Sequence, residues 1–214
     1  MAEELGRIEK PPVESFKKGR KLYFIPLVYR ARESPQEYVE KCQKYWAQVE
    51  QQLQDLELKL GRTSRVYHEL IAEAEDKVRI LQGLNEQSYQ LVQARLEKGA
   101  ELVTTEERDI LTEFIDWGRC LGIGLQNQKV FLHIYQSYLE AIKKRMEFIT
   151  KRIGETLGAE ETGLLFIREG SQIQFPPDIE VFYVAPPALD EINRWLRDRE
   201  AKADQETEPN KAET

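Results

Sequence analysis

The chain has 214 residues, 41% hydrophobic and 32% charged, with 31 Lys and Arg against 38 Asp and Glu for a formal net charge of −7. That suits a single domain with enough apolar material for a core, and the acidic balance argues against broad nucleic-acid binding, which draws on Lys and Arg against phosphates. Two cysteines, Cys42 and Cys120, exclude a disulfide framework or a cysteine-rich zinc site, and no apolar run reaches the ~18 residues of a membrane span.

Residues 1–19 hold Pro11, Pro12 and scattered charge and read as an extended arm. The amino terminus has no apolar core and does not resemble a secretory signal, so a cytoplasmic location is expected. The run 22–29, Leu-Tyr-Phe-Ile-Pro-Leu-Val-Tyr, is apolar, aromatic and β-branched and predicts a strand. Pro26 removes a ladder donor and favours an edge position or a bulge.

The strongest signal follows. Ser34, Pro35 and Glu37 have the spacing of a capping box with proline at the first helical position. Val39, Cys42, Trp46, Val49, Leu53, Leu56 and Leu60 then alternate spacings of three and four, a coiled-coil-like seam that ends at Gly61. Residues 65–71 predict a second, short strand, so that strand, long helix and strand form a crossover unit able to make two strands parallel.

From about Ala74 to Lys98 the pattern is helical, with Gly83 as an interruption and Gly99 as the end. Thr104 and Glu107 offer a second capping box before a helix ended by Gly118, Gly122 and Gly124. A helix of roughly 30 residues, about 45 Å long, is expected over 127–157. It carries Phe131, Tyr135, Tyr138, Ile142, Met146, Ile149, Ile153 and Leu157, and is the internal candidate to bury the first seam.

The runs 163–167 and 179–185 predict strands, with 173–175 as a further short extended piece. Pro186 and Pro187 launch a last helix with Leu189, Ile192, Trp195 and Leu196 on one face, and 200–214 read as a disordered charged tail. The fold class is therefore a helix-rich α/β or α+β domain over 20–199. Long amphipathic helices would pack with a small sheet made from the amino-terminal strand and the carboxyl-terminal strands.

No catalytic motif stands out. His68-Glu69 lacks the second histidine of a zinc helix, because Ala72 occupies the required place, and His133 has no ligand partner at useful spacing. No metal or cofactor is expected. The glycines around Cys120 match neither a dinucleotide fingerprint nor a phosphate loop. Basic residues near Lys17 to Lys21, and Lys143, Lys144 and Arg145, read as solvated faces.

The leading expectation is a non-enzymatic interaction or scaffold protein, acting through helical faces on a partner or on itself as a homo-oligomer. The alternative is an enzyme, for instance a hydrolase, with a cleft where the strands end. His68, Glu69, Glu169 and Ser171 are then the residues to test. A third reading, RNA binding, rests on the basic arm near Lys17.

Overall fold

The structure, a computed structural model, describes residues 18–170 and 173–207, the last five as backbone alone. The helix-rich α/β class is as expected. Six helices surround one five-stranded parallel sheet among the described residues. In chain order the elements are β1 (Arg20–Pro26), α1 (Gln36–Leu60), β2 (Arg65–His68), α2 (Lys77–Leu84), α3 (Glu86–Leu96) and β3 (Glu101–Val103). There follow α4 (Arg108–Gly122), α5 (Gln128–Thr156), β4 (Thr162–Ile167), β5 (Ile179–Tyr183) and α6 (Pro187–Thr207).

The strand order is β3-β2-β4-β1-β5, so the crossover from β1 to β2 leaves room for β4 between them. The sheet thus contains β2 and β3 as well as the amino- and carboxyl-terminal strands. Alternation along each strand sorts the core into two layers. Tyr23, Ile25, Val66, Leu164 and Phe166 face α1, α3 and α6, while Leu22, Phe24, Tyr67, Leu165 and Ile167 face α5. The central strand β4 is buried along its whole length. At Gly163 a Cβ would sit 2.8 Å from Leu22 and 3.1 Å from Tyr67, which explains the glycine.

Pro26 is not on an edge strand, because β1 pairs with β4 on one side and β5 on the other. It closes the strand instead. Leu27 N–H donates to Ile167 C=O on the β4 side, so the missing donor of Pro26 faces β5, which already stops pairing at Phe24 opposite Tyr183. The last rung on that side is Val184 N–H donating to Phe24 C=O, and the ladder stops at the proline.

The capping box at Ser34 does not form. Pro35 is the cap residue, with no side-chain bond to the helix, and its carbonyl accepts from Val39 N–H. The seam is satisfied within the chain, though not by α5, which lies on the other face of the sheet. Cys42, Trp46, Val49 and Leu53 pack against β1, β4, α3 and α6, and Trp195 of α6 stacks 4.9 Å from Tyr38. A three-four apolar repeat reports a buried stripe without saying whether a helix or a sheet covers it.

The expected helix over 74–98 is two helices. Asn85 breaks it, not Gly83, by serving as the end of α2 and the cap of α3. Its Oδ1 accepts from Ser88 N–H at 3.0 Å and its Nδ2 donates to Val28 C=O at 2.9 Å. Glu107, not Thr104, caps α4 through Ile110 N–H. Thr104 instead donates to Glu73 at 2.6 Å. Gly118 lies inside α4, facing Tyr138 of α5. Residues 173–176 form no strand, and α6 continues past 199 to Thr207. The remaining tail, 208–214, and most of the arm, 1–17, lie outside the described residues.

Candidate functional site

Parallel strands end together, and in open α/β sheets ligands bind where neighbouring strands send their chains to opposite faces at that edge. Here β2 leads to α2 and α3 on one face, and β3 to α5 on the other. The loops after β1, β2, β3 and β4 supply Tyr29, Glu69, Glu106 and Arg168, and α5 supplies Arg145 from above.

These five side chains form one ionic cluster. Arg145 Nε donates to both Glu106 oxygens at 2.9 Å, and its Nη2 bonds Glu106 and, at 3.3 Å, Glu69. Glu69 Oε1 accepts from Tyr29 O–H at 3.0 Å and Arg168 Nε at 3.2 Å. Phe114 stacks on the Arg145 guanidinium, and Tyr29 on that of Arg168. Both carboxylates have side chains only 1% exposed. Leu70, at φ 68°, turns the chain sharply after β2 so that its N–H donates to Glu106 at 2.9 Å. A leucine in the left-handed region is strained, and the turn is pinned on both sides of it, by the Glu106 bond and by Ile71 N–H donating to His68 C=O.

Electrostatics follow from this enclosure. Burial opposes the Arg145 charge, but the carboxylates of Glu106 and Glu69 outweigh it and raise its pKa above the usual arginine value. Burial first, and then Glu69, push the Tyr29 phenol well above its ordinary range, so it remains a donor. Oppositely charged groups closed around one another in this way bind each other and stiffen the edge. Glu69 and Glu106 are closed off by these contacts, and the open space at this edge lies beside Arg168 and Glu169.

The sequence candidates separate accordingly. Glu69 is buried within the cluster. His68 is fully buried behind it, its Nδ1 donating to Glu69 C=O at 2.7 Å and its Nε2 accepting from Ser88 at 3.0 Å. Burial lowers its pKa to about 4, which keeps it neutral. Glu169 reaches the same edge from the surface, accepting from Asn193 Nδ2 at 2.7 Å. It joins Tyr29, Tyr38 and Arg168 around a 380 Å³ cavity walled by Leu27, Leu189 and Ile192. Ser171 lies outside the described residues. His133 is exposed on α5, away from the buried His68.

Glu106 and Arg145 are the functional-looking residues that sequence reading passes over. Arg145 sits in a basic run and reads as solvated, yet it is 4% exposed. Its spacing of four from Ala141 and from Ile149, both fully buried, is the available signal. Arg20 and Lys21 are likewise absorbed by the fold. Lys21 is buried, while Arg20 pairs with Asp178 at 2.8 Å and donates to Gly154 C=O near the end of α5.

The second feature is an overhang. The α5 stripe Met146, Ile149 and Ile153 covers the sheet. The same three-four spacing continues upstream through Ile142, Leu139, Tyr135 and Leu132, beyond the carboxyl edge of the sheet. Among the described residues, α4 alone accompanies α5 there, with Phe114 stacked 5.4 Å from Tyr138. Val130, Phe131, Leu132, Tyr135 and Leu139 are each 41–48% exposed, and Ile123 in the connecting turn is 72% exposed. At the foot of the overhang, a 790 Å³ groove runs between Leu139, Ile142 and Met146 and the loop at Gly170 and Gln174, with Lys143, Glu147 and Lys151 on its rim.

Among the described residues, no helix is long and apolar enough to cross a membrane, and no group of three His, Cys, Asp or Glu is placed to hold a metal. Comparison of the chain with protein-family models, with curated proteins and with solved structures finds no match to any of them.

Proposed function

We propose that the protein is a non-enzymatic interaction module, in a cytoplasmic setting, whose working surface is the apolar side of the α4–α5 hairpin. The supporting observation is the continuation of one stripe across two environments. The stripe is core at Met146, Ile149 and Ile153 and half exposed at Leu132, Tyr135 and Leu139. A contiguous exposed apolar patch with polar surroundings is the usual mark of a protein-binding face. The carboxyl edge, sealed by Arg145, Glu69 and Glu106, supplies the rigid base from which the hairpin projects.

The test is a photo-crosslinking residue placed at Leu132 or Leu139 in cells, with Asp55 on the exposed side of α1 as control. A discrete adduct, identified by mass spectrometry and abolished by Tyr135→Glu, supports the reading. Labelling no stronger than at Asp55 sinks it.

One observation favours a second reading, a small-molecule enzyme or binding protein. The cavity beside Glu169, Asn193 and Arg168 lies where strands β1 and β4 end. A thermal-shift screen with polar metabolites would support this reading through a stabilisation lost in Glu169→Gln. No hit in that screen would count against it.

A further inference from the structure

The cavity beside Tyr29, Arg168 and Glu169 has a charge preference of its own. We infer that it binds a small organic cation, a protonated primary amine on an apolar body, with the ammonium on Glu169 and the body against Leu27, Leu189 and Ile192; this rests on the small-molecule reading above.

Its place in the fold is the first support. β1 and β4 are neighbours, yet the chain leaves β1 for α1 on one face of the sheet and leaves β4 for Ile173 and Phe175 on the other. A crevice opens at the carboxyl ends of strands that part in this way, and open α/β sheets take their ligands there. The loops after β1 and β4 supply Tyr29, Arg168 and Glu169 to the cavity, and α6 supplies Leu189, Ile192 and Asn193. Its volume of 380 Å³ falls within the roughly 300–1,000 Å³ of small-ligand sites.

The charges then select the ligand. Arg145 and Arg168 are matched by Glu69 and Glu106, two cations against two carboxylates in one bonded cluster. Glu169 is the surplus. Among the described residues its bonded partners are neutral, the Asn193 amide at 2.7 Å and the Tyr183 hydroxyl at 3.5 Å. Arg168, the one cation of the wall, is bonded to Glu69 through Nε and stacks on Tyr29.

The hydroxyl donors of the cavity are committed as well. Tyr29 donates to Glu69, and Tyr38 donates to Tyr29 C=O. An ionised carboxylate only accepts, so Asn193 turns its NH2 group to Glu169 and keeps its carbonyl oxygen as a second acceptor. What is left over is negative charge and lone pairs beside an apolar wall, the complement of an ammonium group on a hydrocarbon. An anion would meet Glu169, and a neutral ligand would leave that carboxylate without a counter-charge.

The experiment uses the full chain and three ligands that share one body, 2-phenylethylamine, 2-phenylethanol and phenylacetate, titrated by calorimetry at neutral pH. The amine should bind about tenfold more tightly than the alcohol, the worth of one hydrogen bond to a charged group, and phenylacetate should bind least. Glu169→Gln should erase the difference between amine and alcohol while leaving the affinity of the alcohol unchanged, which a misfolded variant could not do. Leu196→Trp, at a lining position 38% exposed, should fill the cavity and abolish binding of all three. An alcohol or phenylacetate that binds as well as the amine overturns the inference, and so does a preference for the amine that survives Glu169→Gln. If that binding is still lost in Leu196→Trp, the cavity remains a small-molecule site for another class of ligand. Binding of none of the three also overturns the inference, and the metabolite screen then decides the small-molecule reading separately.

Discussion

Arg145 Nε stands 2.9 Å from both carboxylate oxygens of Glu106, so a residue in the middle of α5 is fixed to the loop that follows β3. The contact is buried, and truncating one member of a buried pair leaves an uncompensated charge. Arg145→Met should therefore lower unfolding free energy by about 3–5 kcal/mol, since it leaves the buried Glu106 without its counter-charge, whereas Glu69 keeps Arg168 and Tyr29. Arg145→Lys keeps the charge but not the fork and should recover only part. Urea unfolding measures both, and a loss below about 1 kcal/mol for the methionine variant would show that the carboxylates gain water when the arginine is gone.

His68 makes stability depend on pH in a defined direction. Its folded pKa of about 4 lies below the unfolded value of 6.5, so between these values the unfolded chain binds the extra proton. The stabilisation is complete above pH 6.5 and is lost as pH falls toward 4. The full effect is about 3 kcal/mol. His68→Gln should cost stability at pH 7 yet show a shallower decline from pH 7 to 4.5 than the parent chain. Parallel declines would mean that other groups carry the acid sensitivity.

Asn85 ends one helix, begins the next and reaches across to Val28. Asn85→Ala removes a cap, worth about 1 kcal/mol, and leaves the Val28 carbonyl without that donor, at about 1–3 kcal/mol. A combined loss of about 2–4 kcal/mol is expected in chemical denaturation. Asn85→Asp retains the cap acceptor but sets a buried carboxylate oxygen against the Val28 carbonyl, so at pH 7 it should lose at least as much as the alanine variant.

Gly163 leaves no space for a methyl group. Gly163→Ala would press on Leu22, Tyr67 and Leu157 together, and overpacking of this kind costs about 1–3 kcal/mol. A neutral result in thermal unfolding would mean that the sheet and α5 can separate slightly without penalty.

Two leucines give a matched contrast. Leu53 is fully buried under the sheet while Leu139 is 45% exposed on the overhang. Leu53→Ala should cost about 2–5 kcal/mol. Leu139→Ser should change the stability of the isolated chain by no more than about 0.5 kcal/mol. Equal losses would show that the overhang belongs to the monomer's core.

The helices were legible because their signals are local and repeated. The α1 seam, the length of α5 and the helix-rich class follow from apolar spacing over many turns. The partner of the seam was not legible, because Val49 and Leu53 have the same spacing whether a helix or a sheet covers them. Strand β3 has only three residues, too few for alternation to register. Insertion of β4 between β2 and β1 is a long-range choice with no local mark. The ionic cluster was half visible. Glu69 could be singled out at a strand end, whereas Glu106 was hidden inside an apparent capping box and Arg145 inside a basic run. In each case a plausible short-range reading competed with a tertiary contact.

The pairing of Lys21 with Thr162, and of Arg20 with Ile179, also sets an order of events. Both neighbours of β1 come from the last third of the chain, so a nascent polypeptide must carry this apolar strand unpaired until nearly everything else has been made. The pairing of β2 with β3 closes far earlier, since only two short helices separate them. Non-local parallel pairing of this kind is slow, and it exposes sticky segments while it waits. During synthesis, then, the apolar run of β1 is the part of the molecule most in need of shelter.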